Sequence, residues 1–272
     1  MSKSENKTVM MWQVIKERTN KLTKKTRKNI TLKVSNKLTE DASLIANTFN
    51  DYFVSVGKQN SSQSTTIPTG RPVISPSEKS IYLKPVDPGE IKYIIKKLKN
   101  KHSYGHDEIP PTLVKFCIEE LVLPLTVLIN QSLAEGIVPD LLKISSIKPI
   151  FKKGDQTNTE NYRPIALLST FSKIFETVMS KRLYLFCEKF EIFNDSQNGF
   201  RKNKSTTLAV YRYIQEALNI INKKQYAVGI LLDMSKAYDR VSYKILLDKL
   251  YSIGVRGIAH DWFTSYLKNR IQ

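Results

Sequence analysis

Residues 226–233 read YAVGILLD, and this run constrains the fold more than any other. Consecutive aliphatic and β-branched residues leave no polar face, so the segment reads as a strand buried on both sides, which needs neighbours in a sheet. It ends on Asp233. A paired, rigid strand would hold that carboxylate at the edge of the core, within reach of solvent and ligand. A hard cation such as Mg²⁺, usually held by one or two carboxylates with phosphate oxygens completing its shell, suits such a group. In a two-metal phosphoryl-transfer site a carboxylate here would help to clamp the attacking and leaving oxygens. An aspartate that only caps the turn into SKAYD accounts for the same residues equally well.

Elsewhere the periodicity is mostly helical. TEDASLIANTFNDYFVSV places Leu44, Ile45, Phe49, Tyr52, Phe53 and Val56 on one face behind a Thr/Asp start. In DPGEIKYIIKKLK, Asp87 stands as N-cap, Pro88 at the first helical position and Glu90 three residues after the cap, a capping-box arrangement. Helix is expected again over 112–135, broken near Pro124, whose ring opposes continuation. ISSIKPIF at 144–151 turns β-rich, and Phe171, Ile174, Phe175, Val178, Met179, Leu183 and Phe186 form a core stripe on a helix starting near Ser169 or Thr170. Ser205 or Thr206 caps a further helix, and two more follow in SYKILLDKLYSIGV and IAHDWFTSYLKN. The pattern predicts an α+β fold, rich in helix around a few strands. Composition divides the chain into a basic arm and upstream helical region (1–59), a Ser/Thr/Pro/Gly-marked linker (60–84) and a compact domain (85–272).

Forty-three Lys and Arg against 25 Asp and Glu give a formal charge of +18. Such a balance favours polyanions through counterion release, and nucleic acid is the leading partner. The run TNKLTKKTRKN at 19–29 looks like a basic arm that orders on a partner. The longest apolar stretch, LVLPLTVLI at 121–129, is far short of the roughly 18 residues of a membrane span, and MSKSENK carries no signal-peptide core. A soluble intracellular protein without membrane contact is expected. Cys117 and Cys187 lack both CxxC and Cys/His ligand spacing, and are read as core packing.

Three blocks, in order and in spacing, carry a family resemblance: IKPIFKKGDQTNTENYRPIALLSTFSKIFE, SQNGFRKNKSTTLAV and GILLDMSKAYDRVSYKILLDKL. Together they resemble the fingers and palm of non-LTR retrotransposon reverse transcriptases of the jockey type. SYGHDEIPPTLVK and PLTVLINQSLAEGIVPDLLK resemble the segment that precedes them. The likeness covers about 85–272, and 12–57 more weakly. It implies helix-rich fingers beside the start of an antiparallel palm sheet. It also implies Mg²⁺ or Mn²⁺ as cofactor, RNA template, DNA primer and deoxynucleoside triphosphates as partners, and a ribonucleoprotein shared between nucleus and cytoplasm.

Site roles carry over position by position. Asp233 corresponds to the first palm carboxylate, which binds the catalytic metal ions, and Tyr238 to the aromatic that screens the sugar 2′ position; a core aromatic on the same turn is the alternative reading of Tyr238. Lys152 and Arg163 correspond to the fingers cations that face the incoming triphosphate, where Arg binds phosphate bidentately and Lys acts as a point charge. Lys153 reads as a solvated loop charge. The turn Gln197, Gly199, Phe200 and Arg201 joins an aromatic and cations to a helix start, which suits a template backbone or base, and Arg201 is its leading candidate. The chain departs from the family with Asn198 where an aromatic is common, and with GHDEIP where GPDGIP is common.

No Asp-Asp pair occurs in the 272 residues, and the family places its second metal-binding carboxylates in such a pair. The chain is therefore expected to be a partial copy, inactive by itself and prone to aggregate through an unpaired palm strand. A nucleic-acid-binding remnant without chemistry is the alternative.

Overall fold

A computed structural model describes residues 30–58, 77–101, 103–234, 237–238 and 241–272. These residues sort into two compact units, one of those up to 52 with 149–163 and the other of those within 53–148 with 164–272. Compactness follows contacts, so these units cut the chain differently from the composition-based division at 59 and 84. The basic run at 19–29 lies outside the described residues.

The first unit opens with strands β1 (Leu32–Val34) and β2 (Lys37–Thr39), antiparallel with Leu32 opposite Thr39 and Val34 opposite Lys37. Ser35 and Asn36 join them, both with positive φ (47° and 66°), the pairing that gives a two-residue turn the twist of its flanking strands. This hairpin begins inside the stretch read as basic arm. Its signal was Leu32, Val34 and Leu38 alternating around Ser-Asn, too short to stand out among lysines. Helix α1 (Ala42–Lys58) follows, and the Asp41 carboxylate accepts from the Leu44 N–H at 2.7 Å, satisfying one of the orphan donors of its first turn. Leu32, Ile45, Phe49 and Tyr162 make the buried centre of this unit, and the Phe49 and Tyr162 rings meet edge to face at 4.9 Å.

The second unit is helical. Helix α2 (Pro88–Lys97) starts as expected, with the Asp87 carboxylate accepting from the Glu90 N–H at 2.9 Å. The Glu90 side chain turns away toward Arg182 and Lys181. The break expected at Pro124 falls instead at Cys117, between α3 (Pro111–Phe116) and α4 (Ile118–Glu135). Pro124 sits inside α4 because Ile118 and Val122 before it and Leu125, Ile129 and Leu133 after it are buried on one face. Five buried aliphatics at about 1.5–3 kcal/mol each outweigh a helix-interior proline costing about 3 kcal/mol. Gly136 ends α4 in the left-handed region, and a Cβ there would come within 2.9 Å of the Ile258 carbonyl.

Strands β3 (Ser145–Phe151) and β4 (Tyr162–Leu168) pair into a two-stranded sheet. Helix α5 (Thr170–Lys189) is capped by Ser169, whose hydroxyl accepts from the Ser172 N–H at 3.0 Å. Its stripe of Ile174, Phe175, Val178 and Met179 packs with Ile91, Ile95, Ile129 and Trp262 in the main core. Phe186 and Cys187, at its far end, meet Ile81, Leu250, Val255 and Ala259 in a second cluster. Helices α6 (Thr206–Asn222), α7 (Tyr243–Ser252) and α8 (Ile258–Leu267) complete the unit.

The run 226–233 departs from the sequence expectation. It forms no strand, and every residue is exposed, Leu231 at 91%. A strand exists only through a hydrogen-bonded neighbour, and among the described residues none flanks this run. Helix α6 alongside it likewise has no buried residue. A Cβ on Gly229 would collide with the Tyr213 hydroxyl of α6, so the two apolar segments touch and leave their outer faces in water.

Candidate functional site

The β3–β4 hairpin shows how Lys152 and Arg163 are presented. The Lys152 N–H donates to the Asn161 carbonyl at 2.8 Å, and the rings of Phe151 and Tyr162 meet at 5.5 Å. That register sets Ile150 opposite Arg163, and because side chains alternate along a strand, Arg163 and Lys152 extend from the same face. Both are exposed, and among the described residues neither has a carboxylate partner.

The intervening loop is tied to itself. The Asp155 carboxylate accepts from the Thr157 N–H at 2.9 Å, a bond that holds its carboxyl below the ordinary value. The Asn161 amide donates to the Asp155 carbonyl at 2.9 Å and the Tyr162 hydroxyl to the Gln156 carbonyl at 2.8 Å. Burial raises the Tyr162 hydroxyl pKa, with the Asp155 charge adding to it, so the ring stays a neutral donor. The product is a stiff turn that presents two unpaired cations, suited to an oxygen-rich polyanion such as a triphosphate.

In the second unit the turn at 197–201 divides its labour differently from the sequence reading. Arg201, the leading candidate there for contacting nucleic acid, has a side chain only 11% exposed. Its guanidinium donates to the Asn194 carbonyl at 3.0 Å, pairs with Glu188 at 3.4 Å and lies 5.2 Å from the Phe193 ring centre. Arg201 therefore braces the turn. Gln197 shapes it too, donating from its side chain to the Gly199 carbonyl at 3.3 Å. Gly199 is open, with no atom within 4 Å of the place a side-chain methyl would take. Phe200 is the residue put forward, 90% exposed and with φ at 59°, a left-handed backbone that costs a bulky residue about 1–3 kcal/mol.

Asp233 is exposed at the end of the unpaired run. Tyr238 is exposed rather than core, and its ring meets the Phe200 ring edge to face at 6.3 Å. The structure thus brings Tyr238 to the 197–201 turn. Among the described residues no group of three His, Cys, Asp or Glu gathers, and Asp233 offers one carboxylate. That fits one position of a Mg²⁺ shell shared with phosphates and no more.

Gly105, in the loop before α3, was not singled out by sequence reasoning. A Cβ there would lie 2.5 Å from the Ser169 backbone nitrogen, so the loop lies directly on the N-terminus of α5. Thr170 strengthens the contact, donating from its hydroxyl to the Ile109 carbonyl at 2.8 Å. The Gly/Pro-marked GHDEIPP run was a signal for a turn, not for this close approach.

Residues 150–272 match the family model described as reverse transcriptase (RNA-dependent DNA polymerase). That part of the chain, which holds Lys152, Arg163, the 197–201 turn, Asp233 and Tyr238, is thus similar to a stretch of reverse transcriptase domain. Among its relatives, the chain is 33% identical over 177 residues to the probable RNA-directed DNA polymerase from transposon BS of Drosophila melanogaster, across 65% of this chain and 20% of that protein. It is 32% identical over 176 residues to the RNA-directed DNA polymerase from mobile element jockey of the same fly, across 64% and 19%. A more distant match, 27% over 144 residues, is to the retrovirus-related Pol polyprotein from type-1 retrotransposable element R2 of Popillia japonica, across 52% and 19%. The chain spans about a fifth of the length of these relatives.

Proposed function

We propose that this chain supplies the fingers and the first palm segment of an RNA-directed DNA polymerase of a jockey-like non-LTR element. The observation that carries the reading is the β3–β4 hairpin, which offers Lys152 and Arg163 from one face, unpaired, within the stretch that matches the reverse transcriptase family. Two fixed cations neutralise charge that develops as a triphosphate is transferred. In this reading they grip the incoming deoxynucleotide, Asp233 ligates a divalent metal ion, Mg²⁺ or Mn²⁺, and Tyr238 excludes a ribose 2′-hydroxyl by bulk. The metal supplies charge neutralisation of the reacting phosphates. RNA template and DNA primer are the macromolecular partners, within a ribonucleoprotein of nucleus and cytoplasm. No described helix is long and apolar enough to cross a membrane.

The test is primer extension on an RNA template with Mg²⁺ and four deoxynucleotides, by a chimaera in which residues 150–272 replace the matching part of the jockey polymerase. Extension that Asp233→Asn abolishes is the expected result. The absence of any Asp-Asp pair in the 272 residues favours a second reading for the chain in isolation, in which it binds nucleic acid without chemistry. A dead chimaera whose RNA binding remains salt-sensitive would establish that one instead.

A further inference from the structure

The turn that carries Lys152 and Arg163 stands on a core it does not itself supply. Within 149–163 the buried residue is Tyr162, and the rest of the buried centre of the first unit is Leu32, Ile45 and Phe49, which come from β1 and α1. These elements lie ahead of the stretch 150–272 that matches the family model, and none of the roles given above uses them.

Two contacts tie the upstream segment to the turn. Lys33 falls between the pairs Leu32–Thr39 and Val34–Lys37 of the β1–β2 ladder, so its N–H points away from β2 and donates to the Thr157 carbonyl at 2.9 Å. The Lys33 charge also reaches the turn, adding to the Thr157 hydrogen bonds that hold the Asp155 carboxyl below its ordinary value. The second contact is aromatic. Phe49 meets the Tyr162 ring edge to face at 4.9 Å, and Tyr162 meets Phe151 at 5.5 Å. Lys152 follows Phe151 and Arg163 follows Tyr162, so each cation is the next residue to a ring of the cluster that Phe49 anchors.

A two-stranded hairpin alone is marginal in water. The bonds within 152–161 fix the shape of the turn, whereas the contacts with Lys33 and Phe49 fix where it stands on its strands. Two cations that grip one polyphosphate depend on that placement, since a displacement of about 1 Å at a distance from the chemistry can cost about a hundredfold in rate. Resting on the reading of Lys152 and Arg163 as triphosphate ligands, we propose that β1 and α1 are a working part of the nucleotide-binding device. Phe49 is its positioning residue: it touches no ligand and holds the two cations at the spacing a triphosphate requires.

Binding of a fluorescent deoxynucleoside triphosphate with Mg²⁺ to the whole 272-residue chain, together with amide hydrogen exchange, tests this. Phe49→Leu keeps an apolar side chain in the core and removes the ring contact. It weakens triphosphate binding about tenfold, the value of about one charge-assisted contact. The Lys152, Thr157 and Asn161 amides, hydrogen-bonded in the native chain, exchange faster in the variant, while those of α5 in the second unit keep their protection. Lys33→Pro, at an exposed position, removes the N–H that reaches Thr157 without entering the core, and acts in the same direction. The residual binding of a Lys152→Ala, Arg163→Ala chain is not lowered further by Phe49→Leu, because Phe49 acts through those side chains. A further tenfold loss there makes Phe49 merely structural and overturns the proposal. So do unchanged affinity and exchange in both Phe49→Leu and Lys33→Pro. Triphosphate binding that survives Lys152→Ala with Arg163→Ala, or a native chain that binds none, overturns the polymerase reading and this proposal with it, so the two failures are told apart.

Discussion

Glu90 allows a worked prediction of how this fold responds to pH. Its carboxylate, 13% exposed, accepts from the Arg182 guanidinium at 2.9 Å and from Lys181 at 2.8 Å, and Arg182 is itself only 9% exposed. The Arg182 hydrogen bond is the main cause that brings the Glu90 pKa from 4.5 to about 2, against the opposing effect of burial and with help from Lys181. At about 1.4 kcal/mol per pH unit, that displacement corresponds to about 3 kcal/mol. Because the folded value is depressed, the contribution is fully present above pH 4.5 and is lost as pH falls through about 2. Glu90→Gln keeps the volume, removes the charge and leaves Arg182 half-satisfied by the Lys84 and Pro85 carbonyls. The variant should therefore be about 3 kcal/mol less stable near neutral pH, with the gap to the native chain closing toward pH 2. Urea denaturation of both proteins across that range measures it. A gap that stays constant from neutral pH to about pH 2 would show that Glu90 stabilises by packing, not by charge, and would refute the reasoning.

Four further outcomes follow from the structure. Gly105→Ala puts a methyl 2.5 Å from the Ser169 nitrogen and should destabilise by about 1–3 kcal/mol, as overpacking does; an unchanged melting temperature would mean the loop moves freely away from α5. Ile230→Lys with Leu232→Lys, on the exposed apolar run, should reduce aggregation of the isolated chain in light scattering, and a native chain that is already monodisperse would count against that surface being sticky. Lys152→Ala and Arg163→Ala should each lower the salt slope of RNA or triphosphate binding by about one. Arg201→Ala should instead loosen the turn it braces, seen as faster proteolysis near 194–204, with the slope little changed.

Local signals were legible wherever a few neighbouring residues decide the outcome. Asp87 before Pro88, Ser169 before the α5 stripe and Ser205 before α6 cap the helices that their types and spacings announce. The α5 stripe is buried as its period requires. The family resemblance was equally legible, because the three motif blocks are local strings. Pro124 was misread for the opposite reason: its local cost is real, but two halves of one apolar face are buried on either side of it.

Tertiary structure decided the remainder, since it concerns what stands opposite each residue. The residues of YAVGILLD specify an apolar run and its terminal aspartate, but pairing needs a partner strand, and with none beside it among the described residues the run forms no strand and is exposed to water. Gln197, Phe200 and Arg201 sit in one short turn, yet only the fold assigns Arg201 inward, to the Asn194 carbonyl, Glu188 and Phe193, and Phe200 outward to Tyr238. Lys152 and Arg163 share a face because a backbone hydrogen bond sets the hairpin register. The sequence by itself determined capping, periodicity and the family resemblance. Register, inward or outward orientation and the pairing of Glu90 with Arg182 were decided by packing, which acts between residues far apart in the chain.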